Sequence, residues 1–194
     1  PIFGVRAVVI HATAGASSDG AASVVRAGTA SFHWLVPDEN EVAHCEFVWA
    51  CIPEARAAWP VRNTCSHPSV NGGAKRVNHW SLGIEVVNTQ VQDPFSEWQL
   101  EATAQIVRYC WAKYPNLKHV VSHAVLDPDA VRGLSAHDLR LDRHIAVLLG
   151  ARLTHLDGLV RVALHAAAIG EAEVLLELLG ECVALSVVEL LVVL

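Results

Sequence analysis

Three short apolar runs constrain this chain more than any other feature: residues 6–11 (Arg-Ala-Val-Val-Ile-His), 81–87 (Ser-Leu-Gly-Ile-Glu-Val-Val) and 119–123 (His-Val-Val-Ser-His). Each is far shorter than the ~20 apolar residues that cross a bilayer. Each is rich in β-branched residues, so each reads as a buried strand. A fourth run, residues 31–36, ends at Pro37-Asp-Glu-Asn40, a turn signal, and residues 41–48 are expected to return as the second strand of a hairpin. Helices are expected between the strands, over residues 18–27 and 96–114. In the longer one, Ser96 and Gln99 form a Ser-x-x-Gln capping box, Leu100, Val107, Trp111 and Tyr114 recur at helical spacing, and Pro115 ends it. Residues 60–80 carry Pro, Asn, Gly and Ser and read as a long surface loop of the kind that borders clefts. Strands interleaved with helices predict an α/β sheet.

The 53% hydrophobic content suffices for a buried core. A net charge of −6 with no basic stripe excludes a phosphate-tracking surface, so no nucleic-acid partner is expected. No membrane span is expected either: the most apolar stretch, residues 182–194, is too short and contains Glu189. Five cysteines make an odd count, and none stands in a Cys-x-x-Cys motif; the group Cys45, Cys51 and Cys65 leaves two readings open, free thiols or, less often, one disulfide. The start at Pro1 reads as processing or trimming, with a secreted or envelope location favoured over a cytoplasmic recycling role.

Two of the apolar runs end in histidine, His11 and His123. Ligands collect beyond strand ends in α/β sheets, and two neutral imidazoles there can share a Zn²⁺. Taken singly, each of 11 histidines in the chain is more often a capping or surface group. Glu85 is the sharper anomaly. Period-two alternation places Leu82, Ile84 and Val86 on one face and Gly83, Glu85 and Val87 on the other. Either that second face is solvated, or the carboxylate is paired with something that offsets its burial, such as a cation. Zinc with a nearby carboxylate supplies what amide hydrolysis needs: carbonyl polarisation, an acidified water and a proton carrier.

With these residues the chain resembles the zinc N-acetylmuramoyl-L-alanine amidases of type 2, which share a fold with peptidoglycan-recognition proteins. Val8-Val-Ile-His-Ala-Thr-Ala-Gly15 resembles the family's opening strand and first zinc histidine. Ser31-Phe-His-Trp34 resembles its Ser-x-His-Tyr segment. Residues 54–59 resemble the segment ending in Ala-Trp-His, with Pro60 in place of the last histidine. Asn78-His-Trp-Ser-Leu-Gly-Ile-Glu-Val-Val-Asn88 resembles the Asn-x-x-Ser-Ile-Gly-Ile-Glu motif. Val121-Ser-His-Ala-Val-Leu-Asp-Pro128 resembles the second zinc histidine and its loop. The resemblance implies a mixed central β-sheet flanked by helices, zinc held by His11 and His123, and Glu85 as the catalytic carboxylate. It also implies His33, Trp59 and Asn88 near the substrate, which would be peptidoglycan or a muropeptide cut between N-acetylmuramic acid and L-alanine. A zinc peptidase is the rival hydrolase, but no His-Glu-x-x-His helix is present.

The departures lie after His123. The family continues with Pro-Gly-Arg-Lys-x-Asp-Pro-Gly, whose aspartate is the third zinc ligand; here Gly133 stands at the aspartate position and Val131 at the lysine position. Asp138 is the first-ranked substitute ligand, ahead of His137, Asp129 and Asp127, and Arg132 the substitute charge. Without a third ligand the alternative function is a muropeptide-binding module that does not cut. The composition also changes: beyond Lys118 there is no Trp, Tyr, Phe or Lys, and beyond Ala130 nearly every residue has codons beginning with G or C. The expected organisation is an amidase-like core over residues 1–129 and an α-helical tail over 130–194, the tail carrying the signature of a shifted reading frame. An apolar stripe through Leu175, Leu178, Leu179, Cys182 and Leu185 gives the tail a helix that either packs on the core or self-associates.

Overall fold

The computed structural model describes residues 4–44, 47–89 and 93–127. The sheet has five strands: β1 (Ala7–Ala12), β2 (Trp34–Val36), β3 (Trp49–Ala50), β4 (Ser81–Val86) and β5 (His119–Ser122), in the order β3-β2-β4-β1-β5. The β2/β4, β4/β1 and β1/β5 pairs are parallel and β2/β3 is antiparallel, so the sheet is mixed. The central strands β1 and β4 are the most apolar, as strands covered on both faces must be; Val8, Val9, Leu82 and Ile84 are fully buried.

Helix α1 (Ser18–Ala27) starts where Ser17 accepts a hydrogen bond from the Gly20 N–H, and it stops at Gly28, whose φ of 72° takes the left-handed form that glycine adopts without strain. Helix α2 (Glu97–Lys113) has the expected capping box: Ser96 Oγ accepts from Gln99 N at 3.1 Å, and Gln99 Oε1 accepts from Ser96 N at 3.2 Å. Gln99 also ties α2 to the sheet, its Nε2 donating to the carbonyls of Pro37 and Val87. A single turn, α3 (His123–Leu126), follows β5 directly.

The returning hairpin strand differs from the expectation. The pairing with β2 is made by Trp49 and Ala50, and residues 42–44 are turn instead of strand. Glu41 explains part of this. Its carboxylate accepts from the N–H and Oγ of Ser18, at 2.7 and 2.8 Å, and from Asp38 N. Anchoring the start of α1 in this way draws the chain off the strand path. Among the described residues, Cys51 and Cys65 are free thiols. Residues 60–80 form the expected long loop, with 3-10 turns at Asn71–Gly73 and Val77–His79. The loop is nonetheless packed: Val61, Cys65, Val70 and Val77 form one core cluster with Ala7, Val9, Trp80 and Leu126. No helix among the described residues is long and apolar enough to cross a membrane. The expected helical tail lies outside the described residues.

Candidate active site

The register of the sheet assembles the site. His11 on β1 lies opposite Glu85 on β4, and Val9 on β1 lies opposite Val121 on β5, two residues before His123. Cross-strand partners share a face, so His11 and Glu85 project to the same side, the side covered by the 60–80 loop. His123 begins α3 at the adjacent strand end. Its ring centroid is 4.4 Å from that of His11, tilted by 37°.

Both histidines present a buried Nε2 with no hydrogen-bond partner. A buried ring nitrogen left without a partner is costly, and two of them on adjacent rings form a donor pair suited to one cation. Burial holds His11 well below the usual histidine range, and His123 adds to the effect; burial likewise lowers His123. Neutral imidazole is the form that coordinates zinc. The residues present therefore fit the metal that the resemblance implies. Glu85, across from His11, is pushed up to about 8 by desolvation, well above an ordinary carboxyl. Burial of this carboxyl beside the two histidine rings makes it the candidate proton-carrying group of the site.

The loop after His11 is held rigidly. Ala14 sits at φ 53°, a strained value for a residue with a side chain. Thr13 Oγ1 accepts from Gly15 N and from Asn88 N, and Gly15 N also donates to Asn88 O. Asn88 is 2% exposed, and its Nδ2 donates to Asp93 O. Its contacts thus join the ends of β1 and β4. His33 is similarly placed: its Nδ1 accepts from Gly83 N at 2.9 Å and its Nε2 donates to Arg56 O at 3.0 Å. At 1% exposure, neither ring nitrogen is left for a ligand, so His33 secures β2, β4 and the segment leading to Trp59. Trp59 itself is 54% exposed. The next residue, Pro60, packs against β4 at Gly83, where a Cβ would come within 3.0 Å of the proline ring. Asp138 lies outside the described residues.

One group was not foreseen as a unit. Asp127, a lower-ranked substitute ligand, accepts from Arg62 Nε at 2.7 Å and Nη2 at 2.6 Å, and from Cys65 Sγ at 3.1 Å; its Oδ2 lies 4.0 Å from His123 Nε2. Cys65 is pushed up to about 11, first by burial and then by Asp127. Arg62 and Cys65 are separated from Asp127 by more than sixty positions, and no local pattern marked them.

Comparison with known proteins places the fold. Residues 3–138 match the family model described as N-acetylmuramoyl-L-alanine amidase. The chain belongs to this family. Among solved structures it is similar to AmiD of E. coli, an N-acetylmuramyl-L-alanine amidase solved with its substrate anhydro-N-acetylmuramic acid-L-Ala-D-γ-Glu-L-Lys, at 25% identity and a TM-score of 0.56 over 72% of this chain and 57% of that one. AmpDh3 of Pseudomonas aeruginosa is 25% identical, with a TM-score of 0.53 over 62% of this chain and 50% of that one. An AmpD structure, 19% identical with a TM-score of 0.53 over 73% of this chain and 84% of that one, shares the fold. The chain thus spans little more than half the length of AmiD and half that of AmpDh3. No curated protein matches it.

Proposed function

We propose that this chain hydrolyses the amide between N-acetylmuramic acid and L-alanine in peptidoglycan or its muropeptides, and that the reaction depends on zinc. The observation that carries the reading is the pair of buried ring nitrogens on His11 and His123 that make no hydrogen bond, with Glu85 in register beside His11. Family membership and the muropeptide complex of AmiD support the substrate class. Zinc, when bound by the two histidines, supplies Lewis acidity toward a carbonyl oxygen and acidifies water.

The chain's own groups do the rest. His11 and His123 are kept neutral by burial, so their nitrogens remain available as donors near neutral pH. Glu85 has the high proton affinity that suits a carboxyl moving a proton between water and a leaving amine. Trp59, whose neighbour Pro60 packs on β4, offers an exposed indole, a flat apolar surface for a sugar or peptide. His33 and Asn88 position the segments that carry these groups.

The test is metal content together with release of L-alanine-terminated peptides from a muropeptide. Zinc-loaded protein should release them, and Glu85→Gln should bind zinc and muropeptide yet release almost none. Muropeptide binding without any release by the zinc-loaded wild type would instead support the non-catalytic module and remove the hydrolase reading.

A further inference from the structure

The two histidines of the site are held very differently. His11 lies on β1, a central strand hydrogen-bonded to β4 on one side and β5 on the other. His123 begins α3, a single turn whose leading residue, Ser122, makes no side-chain cap bond. The turn is closed by the Asp127 N–H donating to the His123 carbonyl at 2.9 Å. One turn orders several backbone dihedrals for very few hydrogen bonds, so it does not persist without anchors from elsewhere. Leu126 gives an apolar anchor by entering the core cluster of Val61, Cys65, Val70 and Val77. Apolar burial is non-directional and leaves the rotation of the turn unset.

Asp127 supplies the directional anchor. Its carboxylate accepts from Arg62 Nε at 2.7 Å and Arg62 Nη2 at 2.6 Å, and from the Cys65 thiol at 3.1 Å. A two-bond guanidinium–carboxylate fork fixes orientation as well as distance. The pair is lopsided: the Arg62 side chain is 63% exposed and that of Asp127 only 7%. Losing Arg62 would therefore leave a buried carboxylate uncompensated, and the cheapest relief is to swing Asp127 toward water. The turn, and the His123 ring on it, would move too. Nothing on the ring opposes this, since His123 Nε2 makes no hydrogen bond and stands 4.0 Å from Asp127 Oδ2.

We infer that Arg62 and Asp127 are positioning residues: their fork from the 60–80 loop fixes the turn that carries His123, and so holds its ring centroid 4.4 Å from that of His11. The inference rests on the proposed cation site. Neither residue touches the reacting atoms; both act through α3.

Zinc affinity of the full chain, read by competition with a chromophoric chelator, is compared with urea unfolding of the metal-free chain. Arg62→Leu should weaken zinc binding about ten- to a hundredfold, the scale of losing an outer-shell partner. Arg62→Lys keeps the charge without the fork and should fall between the two. At saturating zinc, Arg62→Leu should lower kcat on a muropeptide and leave KM nearly unchanged. The double variant Arg62→Leu/Asp127→Leu removes the buried charge together with its partner, so it should unfold near the wild-type urea midpoint and still bind zinc weakly. Ser96→Ala, destabilised in α2, should bind zinc as tightly as the wild type. Should Arg62→Leu fail to fold, hydrogen exchange at the Asp127 amide of metal-free Arg62→Lys serves instead, and it should quicken severalfold over the wild type. Wild-type zinc affinity in Arg62→Leu or in the double variant, or unchanged Asp127 exchange in Arg62→Lys, would overturn the inference while leaving the histidine site standing. A wild type that takes up no zinc would overturn both.

Discussion

Glu85→Gln in the metal-free protein should reveal the cost of holding a carboxylate on this sheet. The carboxyl titrates near 4.5 when solvated and near 8 in the fold. Between those values the folded state binds more protons than the unfolded one, so stability falls as pH rises. Glu85's contribution is fully present below about 4.5 and is lost as pH climbs through about 8. At about 1.4 kcal/mol per unit, the shift corresponds to a ceiling of about 5 kcal/mol. The residue keeps some exposed surface, and water reaching the carboxylate lowers this, so about 2–3 kcal/mol is the working expectation. The glutamine side chain of the variant does not titrate. Urea unfolding of chelator-treated wild type and variant, from about pH 5 to about pH 9, should therefore show the wild type losing that amount relative to the variant. His11, His33 and His123 titrate in both proteins and largely cancel in the difference. A difference that stays flat across the range would refute the claim that Glu85 is desolvated, and with it the physical basis for its role.

Other consequences are more direct. With zinc bound, Glu85→Gln should lower turnover by about a hundredfold or more at unchanged zinc content, the usual scale for a proton-transfer group; muropeptide turnover and metal analysis together check it. His11→Ala should abolish stoichiometric zinc binding, measured by metal analysis after gel filtration, because one of two adjacent donor nitrogens is removed. Gly83→Ala should cost about 1–3 kcal/mol in urea unfolding, since the new methyl would stand 3.0 Å from Pro60 Cβ and push the Trp59–Pro60 segment off β4. Ser96→Ala should cost about 1 kcal/mol by removing the α2 cap, with turnover unaffected.

The parts of this protein legible in the sequence are those set by short-range rules. Alternation along residues 81–87 marked a strand with one carboxylate on an otherwise apolar run, the Ser96–Gln99 pair marked the start of α2, and β-branched runs located β1 and β5. Family-like motifs singled out His11, His123 and Glu85 as candidates, since each lies within a short contiguous segment. The limits were also physical. His33 and Asn88 stand in matching motifs, but only the packed structure shows both His33 ring nitrogens and the Asn88 Nδ2 bonded to backbone groups. Glu41 left the expected strand because a carboxylate can reach across the fold to cap a helix, and the hairpin moved with it.

What the sequence determined by itself is a set of strands and helices with three chemically apt residues at strand ends and on a strand face. The tertiary structure decided their meeting: parallel register brings His11 beside Glu85, and β5 delivers His123 to within 4.4 Å of His11. It also decided the Arg62–Cys65–Asp127 group, whose members lie 62 and 65 positions from Asp127 along the chain. Periodicity reports which face a residue occupies, a property of its near neighbours. Which distant residues share that face depends on strand order and loop packing, and these are set by burial summed over the whole core.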